Sequence, residues 1–215
     1  MTSIQSVVLE VDDPAATDAF CTAVFGLGHL LDLRASDAPT TGFRGFTLSL
    51  VVSQPANVDA FVGAALDAGA TALKPAARSL WGYGGVVRGP DGTIFKVATS
   101  KKKDSGPAAR RFDELVLLLG VSDVVASKRF YVEHGLTVAK SFGRKFVQFE
   151  PGSGRVTLGL YGQRALAKDA GVAPDGSGSH RIGIRSDAGP FTDPDGFAWE
   201  AVRDEGHRPV SSDLS

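Results

Sequence analysis

Polar and apolar residues alternate over residues 6–11, the period of a strand with one buried face. Asp13 and Pro14 follow, a helix cap and a first-turn proline. Ala16, Ala19, Phe20, Ala23 and Val24 then recur at helical spacing until Gly26 stops the helix. The second half repeats this order, with a strand over 115–119, a cap at Asp123, a helix through Phe130-Tyr131 and a stop at Gly135. Asp13 and Asp123 are 110 residues apart, as are Phe20 and Phe130. Late in each half a Pro-Asp-Gly turn leads into a strand. Pro90-Asp91-Gly92 precedes Phe95-Lys96, and Pro194-Asp195-Gly196 precedes Trp199-Glu200, at a spacing of 104. The chain is an internal duplication.

The unequal spacings predict where each half is trimmed. A middle strand over 47–52 matches 180–185 at a spacing of 133, which gives the second half 23 extra residues before that strand and 29 fewer after it. The extra piece holds two alternating strands, 145–149 and 155–161, and a helical stretch over 165–170. The piece it lacks corresponds to 55–88, where Val58, Phe61, Val62, Ala65 and Leu66 make a helix closed by Gly69, with strands beyond it. Phe46, Leu48, Leu50 and Val52 form an apolar face for that helix to cover. Their counterparts are Arg181, Gly183 and Arg185, so the uncovered strand is expected to turn this face to water. Residues 1–99 form the first half, 100–111 a charged linker, 112–203 the second half and 204–215 a polar tail.

Composition narrows the function classes. The 215 residues are 43% apolar and 22% charged, with 23 Lys and Arg against 24 Asp and Glu. That balance argues against a nucleic-acid partner. No apolar run approaches the roughly 18 residues of a membrane helix, and the first residues lack the build of a signal peptide. The single cysteine, Cys21, excludes an intrachain disulfide and fits a cytoplasmic protein. Cys21 sits beside Phe20 on the apolar helix and reads as buried. A small-molecule ligand is the expected partner.

The repeated strand–helix–strands unit, with capped helices, Phe130-Tyr131 and the Asp193-Pro194-Asp195-Gly196 turn before Trp199-Glu200, resembles the glyoxalase/bleomycin-resistance/dioxygenase family, the vicinal oxygen chelate superfamily. The resemblance covers about 3–100 and 112–202. It implies an α+β fold of duplicated βαβββ modules, with open, cupped mixed sheets and helices on the outer face. It also implies a ligand on the concave face, often with a divalent metal. The modules could pair within each half; alternatively the trimmed first and last modules could pair, leaving the complete middle ones together. Either pairing is available within one chain, so a monomer or a homodimer is expected.

The family's metal ligands stand on inward positions of four strands. In the second half these fall on His180 and Glu200, with Val116 on the first strand and Gly159 on the fourth. Glu114, two residues before Val116, shares its face and could supply a third ligand. His and carboxylate would suit zinc, iron, manganese or nickel. In the first half the positions carry Ser6, Thr47 and Lys96, and an ammonium there repels a divalent cation.

Without a metal, the resemblance implies a pocket for an aromatic or drug-like molecule. Phe43, Thr47 and Ser49 share the inward face of one strand, and Thr157 and Tyr161 share that of another. Trp81 and Tyr83 lie among glycines that let a flat ligand approach closely. Phe95 and Trp199 alternate outward, into packing. Three functions follow: metal-free binding; a metal-dependent lyase, isomerase or dioxygenase using His180, Glu200 and Glu114; or acid–base catalysis by His180 with Glu200. Metal-free binding agrees best with Lys96.

Overall fold

Each predicted strand–helix pair is built by its own local signals. The computed structural model describes residues 2–80 and 82–202, so Trp81 and the tail lie outside the described residues. The first module consists of β1 (Ile4–Val11), α1 (Pro14–Phe25) and β2 (Leu31–Ala35), with a short β3 (Thr40–Gly42) beyond it. The second is complete, with β4 (Phe46–Val51), α2 (Pro55–Asp67), β5 (Thr71–Ser79), β6 (Gly82–Arg88) and β7 (Ile94–Thr99). So is the third, with β8 (Glu114–Val121), α3 (Val124–Glu133), β9 (Val138–Ser141), β10 (Phe146–Phe149) and β11 (Val156–Gly162). After α4 (Gln163–Ala170) and β12 (Gly176–Gly178), the fourth module has only strands, β13 (Ile182–Ser186), β14 (Phe191–Thr192) and β15 (Ala198–Ala201). The Asp13 carboxylate accepts from the Ala16 amide, and Asp123 from those of Val125 and Ala126, so both predicted caps form. No described helix is long and apolar enough to cross a membrane.

Within a module the first and last strands lie side by side and parallel: β1 with β2, β4 with β7, β8 with β11, β13 with β15. Between modules the first strands pair antiparallel, β1 with β13 and β4 with β8. The two complete modules therefore share one cup and the two trimmed modules another, and a bridge between Ile4 and Val156 joins them. Of the two pairings the sequence allows, the chain adopts the one across halves.

The helices are distributed differently. Phe25 of α1 stacks on Phe95 of β7 at 4.5 Å and on Phe61 of α2 at 6.0 Å. Tyr131 of α3 lies 5.3 Å from Trp199 of β15. Sheets thus join modules from different halves, whereas helices join modules of the same half. Module four can lose its helix because α3 of module three covers its outer face.

The expectation that a face of β13 turns to water is corrected by the register. Leu48 stands opposite Phe95, and Ile184 opposite Trp199. Since Phe95 and Trp199 are equivalent, Leu48 matches Ile184, a spacing of 136 rather than 133. A shift of three residues is odd and exchanges the faces of the strand. Ile182 and Ile184 are in the outer core, as are Leu48 and Leu50. Arg181 and Arg185, both buried, belong to the other face. Gly45 (φ 82°) and Arg181 (φ 51°), also 136 apart, both take the left-handed turn into their strands.

The linker residues are tied down. The Gln54 side chain bonds the backbone of Ser105, Gly106 and Pro107, Asn57 accepts from Ala109, and Arg110 donates to the Ala23 carbonyl at 2.8 Å.

Candidate functional site

The corrected register shows which side chains converge in the cup of modules one and four. Ser6 faces Arg185 across β1 and β13, Arg185 faces Glu200, and Val8 faces Asp32. The Arg185 guanidinium lies between two carboxylates, with Nη1 in a short ion pair with Asp32 and Nε 3.5 Å from Glu200 Oε2. Ser6 donates to Asp32 at 2.6 Å. Arg34 of β2 reaches both Glu200 oxygens through Nη2, at 2.7 and 2.8 Å, and Glu10 through Nη1 at 3.2 Å. These bonds, Glu200 first, hold the Arg34 guanidinium above its ordinary value. Gly183 leaves room beside them for the Glu200 carboxylate, which would have to shift for a Cβ placed 2.7 Å from its Oε1.

The three metal-ligand candidates do not come together. His180 precedes β13 instead of standing on it. Its Nδ1 lies 2.7 Å from the Arg44 carbonyl, its Nε2 3.0 Å from the Asp195 carbonyl, and its ring stacks on Phe197 at 4.1 Å. With both nitrogens facing carbonyls, neither presents a lone pair to the cup. Glu114 accepts from Thr157 at 2.5 Å, and Glu200 is held by Arg34. No group of three His, Cys, Asp or Glu able to hold a metal exists among the described residues. A divalent cation at Asp32 and Glu200 would have to displace a guanidinium, so these residues do not fit a metal centre.

In the cup of modules two and three the equivalent positions carry Val116, Ser49 and Lys96; Ser49 faces Val116 on one side and Lys96 on the other. Here α4 fills the concave face. Leu166, Ala167 and Ala170 are buried against Phe43, Val86, Ile94, Val116 and Leu118, a second core on the opposite side of the sheet from α1, α2 and α3. Gly120 admits the helix, since a Cβ there would meet the Gln163 Cα at 3.1 Å. Thr47 is buried on this face and its hydroxyl oxygen has no hydrogen-bond partner. The helical stretch is legible in the sequence; its place inside the cup is not.

Beside α4 the cup stays open as a cleft of about 460 Å³ between the helix and β5, β6 and β7. Gly84, Val86 and Ala98 make part of its wall, and its charged lining is Lys74, Arg78 and Lys96 against Asp169. Lys96 donates to Asp169 at 2.6 Å, and Lys74 to the Lys168 carbonyl at 2.6 Å. Arg78 donates to the Lys102 carbonyl. Burial, and then Asp169, raise the hydroxyl of Tyr161 above its ordinary value.

Of the predicted ligand contacts, Phe43 and Tyr161 belong to the inner core, Thr47 and Ser49 are buried in the cup, and Lys96 lines the cleft. Thr157 is engaged by Glu114. Tyr83 also lines the cleft, with its hydroxyl donating to Asp59 of α2 at 2.7 Å, and Trp81 lies outside the described residues. The sequence reading passed over Asp32, Arg34, Arg185, Lys74 and Asp169. Arg185 reads as water-facing because the sequence alignment of its strand is three residues out of register, and Asp169 has no signal, being one charge on a short helix.

The motif residues that carried the resemblance bond to each other. Tyr131 donates to Asp193 at 2.5 Å, and the other Asp193 oxygen accepts from the Asp195 and Phe197 amides. The pair fixes α3 to the turn before β15. In the first half the equivalent positions are Cys21 and Gly89, and Cys21 is buried as expected.

No family model matches the sequence, and no curated protein does. Among solved structures, glyoxalase I from Zea mays is similar at TM-score 0.62 and 15% identity, with 94% of this chain and 92% of that chain covered. A putative dioxygenase from Bacillus subtilis is similar at TM-score 0.51 and 13% identity, over 85% and 69%. These likenesses show a shared fold: the chain has the duplicated βαβββ architecture seen in glyoxalase I.

Proposed function

We propose that this protein binds a small organic molecule with a flat, apolar body, without a metal, in the cleft between α4 and β5, β6 and β7. The observation that carries this reading is the contrast between the two cups. In the cup of modules one and four, Arg34 and Arg185 bond the carboxylates that would otherwise be free for a cation. The cup of modules two and three keeps about 460 Å³ of space, within the range of small-molecule pockets. Its wall is formed in part by Gly84, Val86 and Ala98, with lysines at the edge of α4. Each cup is completed within one chain, so a monomer suffices.

Amide nitrogen–proton correlation spectra test the reading. Naphthalene derivatives added in excess chelator should shift the resonances of Gly84, Ala98 and Lys96. Shifts that appear only with added zinc or manganese, or that fall on Arg34 and Glu200, would contradict it.

A further inference from the structure

We infer that the last turn of α4 stands in the place of an anionic group, and that the ligand of this cleft is an organic anion that displaces it. This rests on the cleft proposed above as the ligand site. Leu166, Ala167 and Ala170 pack the helix into the cup, and its last turn is also held by charge. Lys96 of β7 donates to the Asp169 carboxylate and Lys74 of β5 to the Lys168 carbonyl, each at 2.6 Å. Two ammonium groups thus converge on the carboxylate and the negative end of one short helix. A carboxylate or phosphate arriving through the cleft would offer both lysines the same kind of acceptor.

The attachment suits exchange. Lys96 and Asp169 keep side-chain exposures of 26% and 36%, so the pair is reachable by solvent and its bond is weak. Only Leu166, Ala167 and Ala170 of the helix are buried. Gly162 and Gly171 bracket the helix, and Gly171 at φ 79° takes a left-handed turn open to few other residues. Beyond the helix, β12 pairs with β3 and the Phe43 amide donates to the Asp175 carbonyl at 3.1 Å, which fixes the far end of the segment. A released helix would remain tethered at both ends. Thr47, buried on the cup face with its hydroxyl unpartnered, would gain a partner if the cup opened.

The test is calorimetric binding of naphthoate and its neutral isostere naphthamide to the wild-type chain, Asp169→Asn and Lys96→Met, with hydrogen exchange of the α4 amides followed in parallel. Removing the competing carboxylate should tighten naphthoate binding about two- to fivefold, the worth of one solvent-reachable ion pair. Naphthamide affinity should stay unchanged. Lys96→Met should weaken naphthoate selectively, and naphthoate should speed exchange across α4 in the wild type. Naphthoate binding that Asp169→Asn leaves unchanged or weakens, with α4 exchange unaltered, overturns the displacement while leaving the cleft as the ligand site. Failure of both compounds to bind any of the three proteins overturns the cleft itself.

Discussion

Arg185 and Glu200 face each other across β13 and β15, with the Arg185 Nε 3.5 Å from Glu200 Oε2 and its Nη1 paired with Asp32. The centre of this cup is occupied by a guanidinium of the chain itself.

The two arginines of this cup should differ sharply in their effect on stability. The Arg185 side chain is 11% exposed and that of Arg34 40%. Replacing Arg185 with Met removes the buried guanidinium shared by Asp32 and Glu200, which keep only Ser6 and Arg34, and should cost about 1.5–3 kcal/mol. Arg34→Met removes a bond that water can replace and should cost within about 1 kcal/mol. Urea unfolding of the two variants measures this difference, and equal losses would contradict it.

Tyr131→Phe should destabilise the chain by about 1–3 kcal/mol, because it leaves the buried Asp193 oxygen without its donor. Burial and Asp193 hold the Tyr131 hydroxyl well above its ordinary value. The contribution of this protonated hydroxyl is therefore complete below the unfolded tyrosine value and fades only as pH rises through the higher folded one. Absorbance titration should find one of the three tyrosines that ionises only on unfolding.

Cys21 should be inert in the folded protein. Burial first, then Asp91 and Asp18, push its thiol up to about 12. Titration with an aromatic disulfide reagent at mildly alkaline pH should detect no thiol until denaturant is added. Rapid reaction under native conditions would contradict this burial.

The duplication and the helix caps were legible because they are local: a cap, a glycine stop or a Pro-Asp-Gly turn is set by residues adjacent in the chain. The helical character of 165–170 was legible for the same reason. Aligning Thr47 with His180 failed because alternation fixes the faces of a strand only relative to one another. The true match, Thr47 with Gly183, is set by pairing between strands, Leu48 with Phe95 and Ile184 with Trp199. That three-residue slip moved His180 off the strand and hid Arg185. Long-range placement hid Asp169 as well, since its partner Lys96 is 73 residues away on another module.

Calorimetric titration of naphthoate into chelator-treated wild type, Lys96→Met and Glu200→Gln tests the central claim most directly. Metal-free binding in the cup of modules two and three predicts that wild type and Glu200→Gln bind alike while Lys96→Met binds more weakly. Binding that survives Lys96→Met, disappears in Glu200→Gln and requires an added divalent metal would contradict it.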